Sequence, residues 1–156
     1  MISAAFEALA DDVFVFRLAE TGKRFLPEGA GFPNADILEP SSADKAEAVC
    51  RGQEPGVSVW DREHSSLEQA TRLWFHPKQP PAGVRGFGAP VRSLREIARV
   101  RERSLFVVSD PLPKERGPGG EGHSLIEGLK RPPGTARPAH KMLLLKLVEA
   151  CTEVFE

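Results

Sequence analysis

Tyrosine is absent from this 156-residue sequence, and cysteine, methionine and tryptophan occur only twice each. Cys50 and Cys151 lie far apart and belong to no C-x-x-C pair, which excludes a disulfide-stabilised scaffold and a zinc ribbon. Two free thiols are typical of a reducing compartment, so we predict a cytoplasmic protein. The lack of tyrosine also removes one common polar anchor for ligands and interfaces.

Long apolar runs are missing as well. No run approaches the roughly 18 residues that a membrane-spanning helix needs. The first residues lack the basic region of a signal peptide, and acidic residues appear by Glu7 and Asp11. We therefore expect no membrane association.

Neither sign of charge is in excess. The chain has 21 Lys and Arg against 22 Asp and Glu, a net charge of −1. Such a chain has no overall field that attracts a polyanion, so nucleic acid is not an expected partner and any anion site must be local. A hydrophobic content of 40% and a charged content of 28% are ordinary for one soluble globular domain of this length.

The order of apolar and polar residues predicts a single α+β domain over residues 1–156, with a small mixed sheet of four to six short strands. With strand periodicity, residues 13–18 place one set of apolar side chains on each face, as expected for a strand with both faces largely covered, and Arg17 is the exception. Residues 105–109 are predicted to form a central strand. Further strands are predicted at 57–60, 84–91 and 124–127.

Two main helices are predicted to cover this sheet, at 66–75 and, as a long C-terminal helix, at 138–155. The first follows a capping box at residues 65–68, and the second opens with a proline in its first turn. Shorter helices are predicted at 43–51, at 93–100 after a second capping box, and in a first segment that Ser3 caps. The Gly/Pro-rich loop at 111–122 is expected to be mobile.

Three local patterns suggest binding motifs, and each has a simpler interpretation that we favour. The glycine run at 117–123 lacks the following helix and the Lys-Ser/Thr pair of a phosphate loop, which favours a flexible connection. Asp61, Glu63 and His64 precede a helix, where its dipole favours acidic groups, and no second ligand stands at a metal-binding spacing, so we predict no metal. The arginine run at 92–103 is interleaved with glutamates and has no aromatic neighbour in sequence, which predicts a solvated face with salt bridges.

The strongest candidate for an anion site surrounds the start of the last predicted helix. The unpaired N–H groups and the dipole of a helix N-terminus favour an anion there. An ordinary soluble surface beside a proline-rich turn is the alternative. The cationic residues of this candidate site are Lys130, Arg131, Arg137 and Lys141.

Arg17, Ser58 and Glu127 carry a resemblance of residue type and order to ADP-ribosyltransferase-like folds. In that family a strand arginine, a serine on a second strand and a later acidic residue hold a nicotinamide dinucleotide. This sequence lacks the family's Ser-Thr-Ser run and its Glu-x-Glu motif. The resemblance implies a small nucleotide-using transferase with these three residues in its pocket. The alternative is that Arg17 forms a buried or edge salt bridge and that Ser58 bonds to backbone.

The helix predicted at 138–155 is the main positive reason to expect a partner. Most of its apolar residues share one arc at 100° per residue, but Met142 and Leu145 project among charged residues. They form either an interface for a protein partner or a homodimer, or a surface that the N-terminal helix or the loop at 21–40 covers. We therefore predict a non-enzymatic accessory or inhibitory protein of bacterial type, similar in role to an adaptor or an immunity protein, without a cofactor. The nucleotide-using transferase is the alternative.

Overall fold

The computed structural model describes residues 7–53, 56–75 and 83–155. Within these ranges six strands form one sheet in the order β4-β5-β2-β1-β3-β6. The strands are β1 Phe14–Glu20, β2 Val57–Asp61, β3 Val84–Pro90, β4 Phe106–Ser109, β5 His123–Glu127 and β6 Thr152–Val154. The helices are α1 Ser42–Arg51, α2 Leu67–Trp74, α3 Val91–Val100 and α4 Arg137–Glu149, with short 3-10 helices at Ala35–Leu38, Lys114–Arg116 and Gly120–Gly122. The predicted α+β class is confirmed, and the five described strand pairs are all antiparallel rather than mixed.

Each face of the sheet packs against its own set of helices. Val15 and Ala19 of β1 belong to the larger core, together with residues of α3, α4 and the 3-10 helix at 35–38. Phe16 of β1 belongs to a smaller core with Trp60 and Ala70 of α2. The period-two pattern of β1 therefore identifies correctly a strand buried on both sides.

The strand predicted to be central lies at one side of the sheet. β4 pairs with β5 only, and its other edge receives the segment before β1, through an Ala8–Val108 bridge and a hydrogen bond from Leu9 N–H to Val107 O. The apolar run at 105–108 predicts a central strand. In the structure, the segment before β1 covers the outer edge of β4, and Val107 is buried in the larger core. The short helix predicted from Ser3 falls mainly on residues 1–6, which lie outside the described residues.

The C-terminal helix is shorter than predicted. α4 ends at Glu149, and the following residues form β6, which pairs antiparallel with β3. Glu153 pairs with Arg85 of β3 at 2.7 Å, and Val154 enters the smaller core. Phe155, which the helical pattern placed on the buried arc, is 82% exposed.

The glycine-rich loop at 117–122 packs closely against the start of α2. Ser65 donates a hydrogen bond from its hydroxyl to Gly119 O, and a Cβ on Gly122 would overlap Ser65 Oγ. The capping box of α2 therefore uses Ser66 and Gln69, one residue later than predicted. The second predicted box is absent, because α3 begins at Val91 without a side-chain cap. None of the described helices has the length and apolar content needed to cross a membrane.

Candidate functional site

Arg17 uses all five of its N–H donors inside the protein. Its Nε–H donates to Ile37 O. One terminal nitrogen donates to Ser58 O and to Asp44 Oδ1. The other terminal nitrogen donates to Glu39 O and to Asp44 Oδ2. The Arg17–Asp44 ion pair is 2.8 Å long and almost fully buried. A guanidinium group has five donors in all, so Arg17 has none left for a phosphate.

This ion pair stands where the ladder between β1 and β2 ends. The described pairing stops at Phe16 and Trp60, two residues short of Ser58. Ser58 O instead accepts from Arg17 at 2.8 Å, and Ser58 N–H donates to Asp44 Oδ1 at 3.2 Å. The ion pair thus satisfies backbone groups that a longer ladder would have paired, and it ties α1 to the sheet.

The side chain of Ser58 points to the opposite face from Arg17 and contacts His123. Ser58 Oγ lies 3.0 Å from His123 Nε2, and His123 Nδ1 lies 2.8 Å from the backbone oxygen of Asp110. A carbonyl accepts only, so Nδ1 carries the proton and the Ser58 hydroxyl donates to Nε2. Burial, the largest effect, lowers the pKa of His123, whose ring packs against Trp60 and Trp74. This pair of residues therefore forms a buried neutral hydrogen bond with no exposed reacting atom.

Glu127 lies elsewhere. It ends β5, is exposed, and has no described contact with Arg17 or Ser58. The structure thus joins Arg17 to Ser58 only through a backbone oxygen and does not assemble the three residues around one opening.

The predicted cations at the start of α4 do line one common opening, which we call the cationic groove. Its volume is about 920 Å³. Its walls come from the 3-10 helix at 35–38 and the residues after it, from α1, from the loop after β5, and from α4. Its cations are the four predicted residues Lys130, Arg131, Arg137 and Lys141, together with Arg24 and Lys45.

Sequence reasoning missed Arg24 and Lys45 because they are remote in the chain. They reach the groove only through the packing of the loop before α1 and of α1 itself. No local pattern in the sequence links either residue to the start of α4. Local clustering alone identifies neighbours in sequence, not neighbours across the fold.

Carboxylates neutralise only part of this positive charge. Asp36 pairs with Lys141 at 2.9 Å and with Arg24 at 3.4 Å. The hydrogen bond from Lys141 is the main reason why the pKa of Asp36 lies below its ordinary value. Among the described residues, the other groove cations have no carboxylate within ion-pair distance: Lys45, Lys130, Arg131 and Arg137.

The floor of the cationic groove is aliphatic. The apolar side chains that line it are Leu38, Val57, Ile126, Leu129 and Leu144. No aromatic residue is among the described lining residues. The groove therefore combines a hydrophobic floor with a cationic rim, and it offers no ring on which a base could stack.

Arg103 holds the loop after β5 against α4. It donates to Gly128 O at 2.9 Å and to Lys130 O at 3.1 Å, and its other terminal nitrogen lies 3.3 Å from His140 Nδ1. Arginine only donates, so His140 Nδ1 accepts and Nε2 carries the proton. Burial, followed by the charge of Arg103, lowers the pKa of His140, which favours this neutral form. Arg103 thereby positions Lys130 and its neighbour Arg131 beside the helix.

The α4 N-terminus lies at this end of the groove, and within the described residues no side chain caps its first-turn N–H groups. Its N-cap residue is Ala136, which provides no side-chain acceptor.

On the outer surface of the same helix, Met142 and Leu145 are 41% and 39% exposed. Leu145 is one turn from Lys141, so this apolar pair adjoins the cationic rim.

Asp61, Glu63 and His64 also come together, with possible ligand atoms within 4.8 Å of one another. Both oxygens of Asp61 are already used, one by the N–H of Glu63 and the other by His64 Nδ1 at 2.7 Å. The hydrogen bond to Asp61 is the main cause of the raised pKa of His64. These three residues therefore form a hydrogen-bonded polar turn that precedes α2.

Both cysteines are free thiols, but only Cys151 is near the core. Burial raises the pKa of Cys151 to about 11, so this thiol is unreactive at neutral pH. Cys50 is exposed on α1.

No protein family, curated protein or solved structure matches this chain.

Proposed function

We propose that this chain is a non-enzymatic cytoplasmic binding protein whose cationic groove holds an acidic segment of a partner protein. The observation that carries the proposal is the group of four groove cations that have no carboxylate partner within the described part of the chain, set above an aliphatic floor. A segment that alternates acidic and apolar residues satisfies both surfaces at once. Such a protein acts as an accessory or inhibitory subunit, as an adaptor or an immunity protein does.

Three features favour a peptide over a nucleotide as the occupant. The groove lining has no aromatic ring for a base among the described residues. Asp36, Glu39 and Glu127 are interspersed among the cations, and they oppose a polyphosphate, whose charges are on adjacent groups, more than single carboxylates spaced along a peptide. The transferase alternative also requires Arg17, whose donors are all occupied.

Charge reversal in the groove tests this proposal. We expect a fluorescein-labelled peptide of alternating glutamate and leucine to bind the wild type, with an affinity that falls as salt is added. Lys130→Glu/Arg131→Glu should weaken binding at least about tenfold, because both residues line the groove and neither pairs with a carboxylate among residues 7–53, 56–75 and 83–155. Fluorescence anisotropy measures the affinity.

The matched control is Arg101→Glu/Lys114→Glu, which changes the net charge equally at two exposed residues outside the groove lining. It should leave the peptide affinity within about twofold of the wild type. Equal weakening by both double variants would contradict the proposal. Tighter binding of ATP than of the peptide would favour the nucleotide alternative instead.

Self-association through α4 is a second candidate, favoured by the exposure of Met142 and Leu145. If these side chains form a homodimer interface, Met142→Glu/Leu145→Glu should convert a dimer to a stable monomer. Size-exclusion chromatography with light scattering measures the mass, and circular dichroism checks that the variant is folded. A folded monomer in both proteins would exclude the homodimer and leave this face for a different partner.

A further inference from the structure

Beyond the groove, we propose that a second cavity, between α3 and the start of β4, binds a phosphate monoester. This arginine cavity has a volume of about 250 Å³. Its charged lining consists of Arg92, Arg95, Arg99, Arg103, Asp11 and Glu96. Four cations and two carboxylates leave it net positive in a molecule whose net charge is −1.

The arginines of this cavity are not neutralised as a salt-bridged face would be. Arg95 pairs with Asp11 at 2.6 Å. Among the described residues, Arg92 and Arg99 have no carboxylate within 4.0 Å. Glu96 nevertheless stands four residues after Arg92 and three residues before Arg99. On an α-helix these spacings place all three side chains on neighbouring positions, so a salt bridge was geometrically available.

Other arginines of the molecule have their charge neutralised by ion pairs with carboxylates. Arg51 forms a bidentate pair with Asp110, with distances of 2.7 and 2.8 Å. Arg85 forms a similar pair with Glu153, and Arg116 pairs with Glu47. Arg92 and Arg99 have no such carboxylate among the described residues, and they line one cavity together. Their like charges repel, and a bound dianion would remove that repulsion.

The chemistry of the cavity fits a phosphate group better than a carboxylate. Guanidinium groups donate two parallel hydrogen bonds to a phosphate, and a phosphate monoester carries up to two negative charges and three acceptor oxygens. Arg92 and Arg99 lie seven residues apart on one helical face and line the same cavity, and the attraction of both to a dianion must outweigh repulsion from Glu96, which stands between them on the helix. The volume is just below the range of about 300–1,000 Å³ typical of drug-sized ligands, which suits a single small group.

The test is an NMR titration of isotope-labelled full-length protein with methyl phosphate and with inorganic phosphate, at about pH 7.5, where a monoester is largely dianionic. Sodium chloride at equal ionic strength serves as the reference. We expect saturable shifts in the amide resonances of residues 92–99 with both phosphates and not with chloride. Arg92→Gln/Arg99→Gln should weaken this binding at least about tenfold, because charge-assisted hydrogen bonds are lost.

Two further variants keep the result specific to this cavity. Arg101→Gln/Lys114→Gln removes the same amount of charge from exposed residues outside the cavity lining and should leave the shifts unchanged. Lys130→Glu/Arg131→Glu should also leave them unchanged, so failure here is distinct from failure of the groove proposal. Shifts that do not saturate, or that are equal in wild type and Arg92→Gln/Arg99→Gln, would overturn the inference.

Discussion

Replacement of Arg17 by methionine is expected to lower the free energy of unfolding by about 3–5 kcal/mol. The change leaves Asp44 buried without its counter-ion and removes donors from the backbone oxygens of Ile37, Glu39 and Ser58. A buried charge without a partner costs far more than the pair contributed, which is why a single deletion is severe. Urea denaturation followed by circular dichroism measures the loss.

Arg24→Met is the matched control for this experiment. Arg24 also pairs with a carboxylate, but its side chain is 71% exposed. An exposed pair contributes about 0–1 kcal/mol, so this variant should be nearly as stable as the wild type. If Arg17→Met were equally mild, the role of Arg17 as the structural join between β1, β2 and α1 would be wrong.

The stability difference between wild type and Arg17→Met should narrow as the pH falls. Burial opposes ionisation of Asp44, but the charge and hydrogen bond of Arg17 and the N–H groups of Ser41 and Ser58 outweigh it, so the pKa of Asp44 lies below 3.8. A lowered carboxylate pKa stabilises the fold above the unfolded pKa, and this contribution is lost as the pH falls through the folded pKa. In the variant the isolated carboxylate has a raised pKa, so its protonation relieves the destabilisation.

Val107→Asp is expected to abolish soluble folded protein. Val107 is 1% exposed and belongs to the larger core, so the variant buries a carboxylate at a cost of several kcal/mol. That cost is comparable to the total stability of many small domains. Soluble yield and the circular dichroism spectrum report the outcome.

The neighbouring position provides the control for this variant. Phe106 stands on the same strand and is 48% exposed, so Phe106→Asp should still give folded protein. A folded Val107→Asp protein with normal stability would contradict the assignment of this face of β4 to the core.

The interior of the sheet was largely predictable from sequence, because strand side chains alternate between two faces and these segments supply apolar residues to both. Residues 13–18 and 57–60 were recognised in this way, and they form β1 and β2. The end of the chain was not predictable by the same means. Apolar residues at 147, 148, 151 and 154 fit a helical arc, but 152–154 also fit a strand, and only pairing with β3 decides between the two.

The candidate site could likewise be predicted from the sequence only in part. Lys130, Arg131, Arg137 and Lys141 were predicted together because they surround one helix start, and they do line one groove. Asp44 was not recognised as the partner of Arg17, since the two residues are 27 positions apart and meet only when α1 docks on the sheet. A buried strand arginine requires a counter-ion, but sequence alone does not say which carboxylate supplies it.

Photo-crosslinking of the acidic peptide to the wild-type protein tests the groove proposal most directly. A peptide of alternating glutamate and leucine with one benzoylphenylalanine is irradiated with the protein, and mass spectrometry locates the crosslinks. We predict crosslinks within residues 36–45 and 126–144, which contain most of the groove lining, and their loss in Lys130→Glu/Arg131→Glu. Crosslinks concentrated at residues 92–106, or unchanged in that variant, would contradict the account.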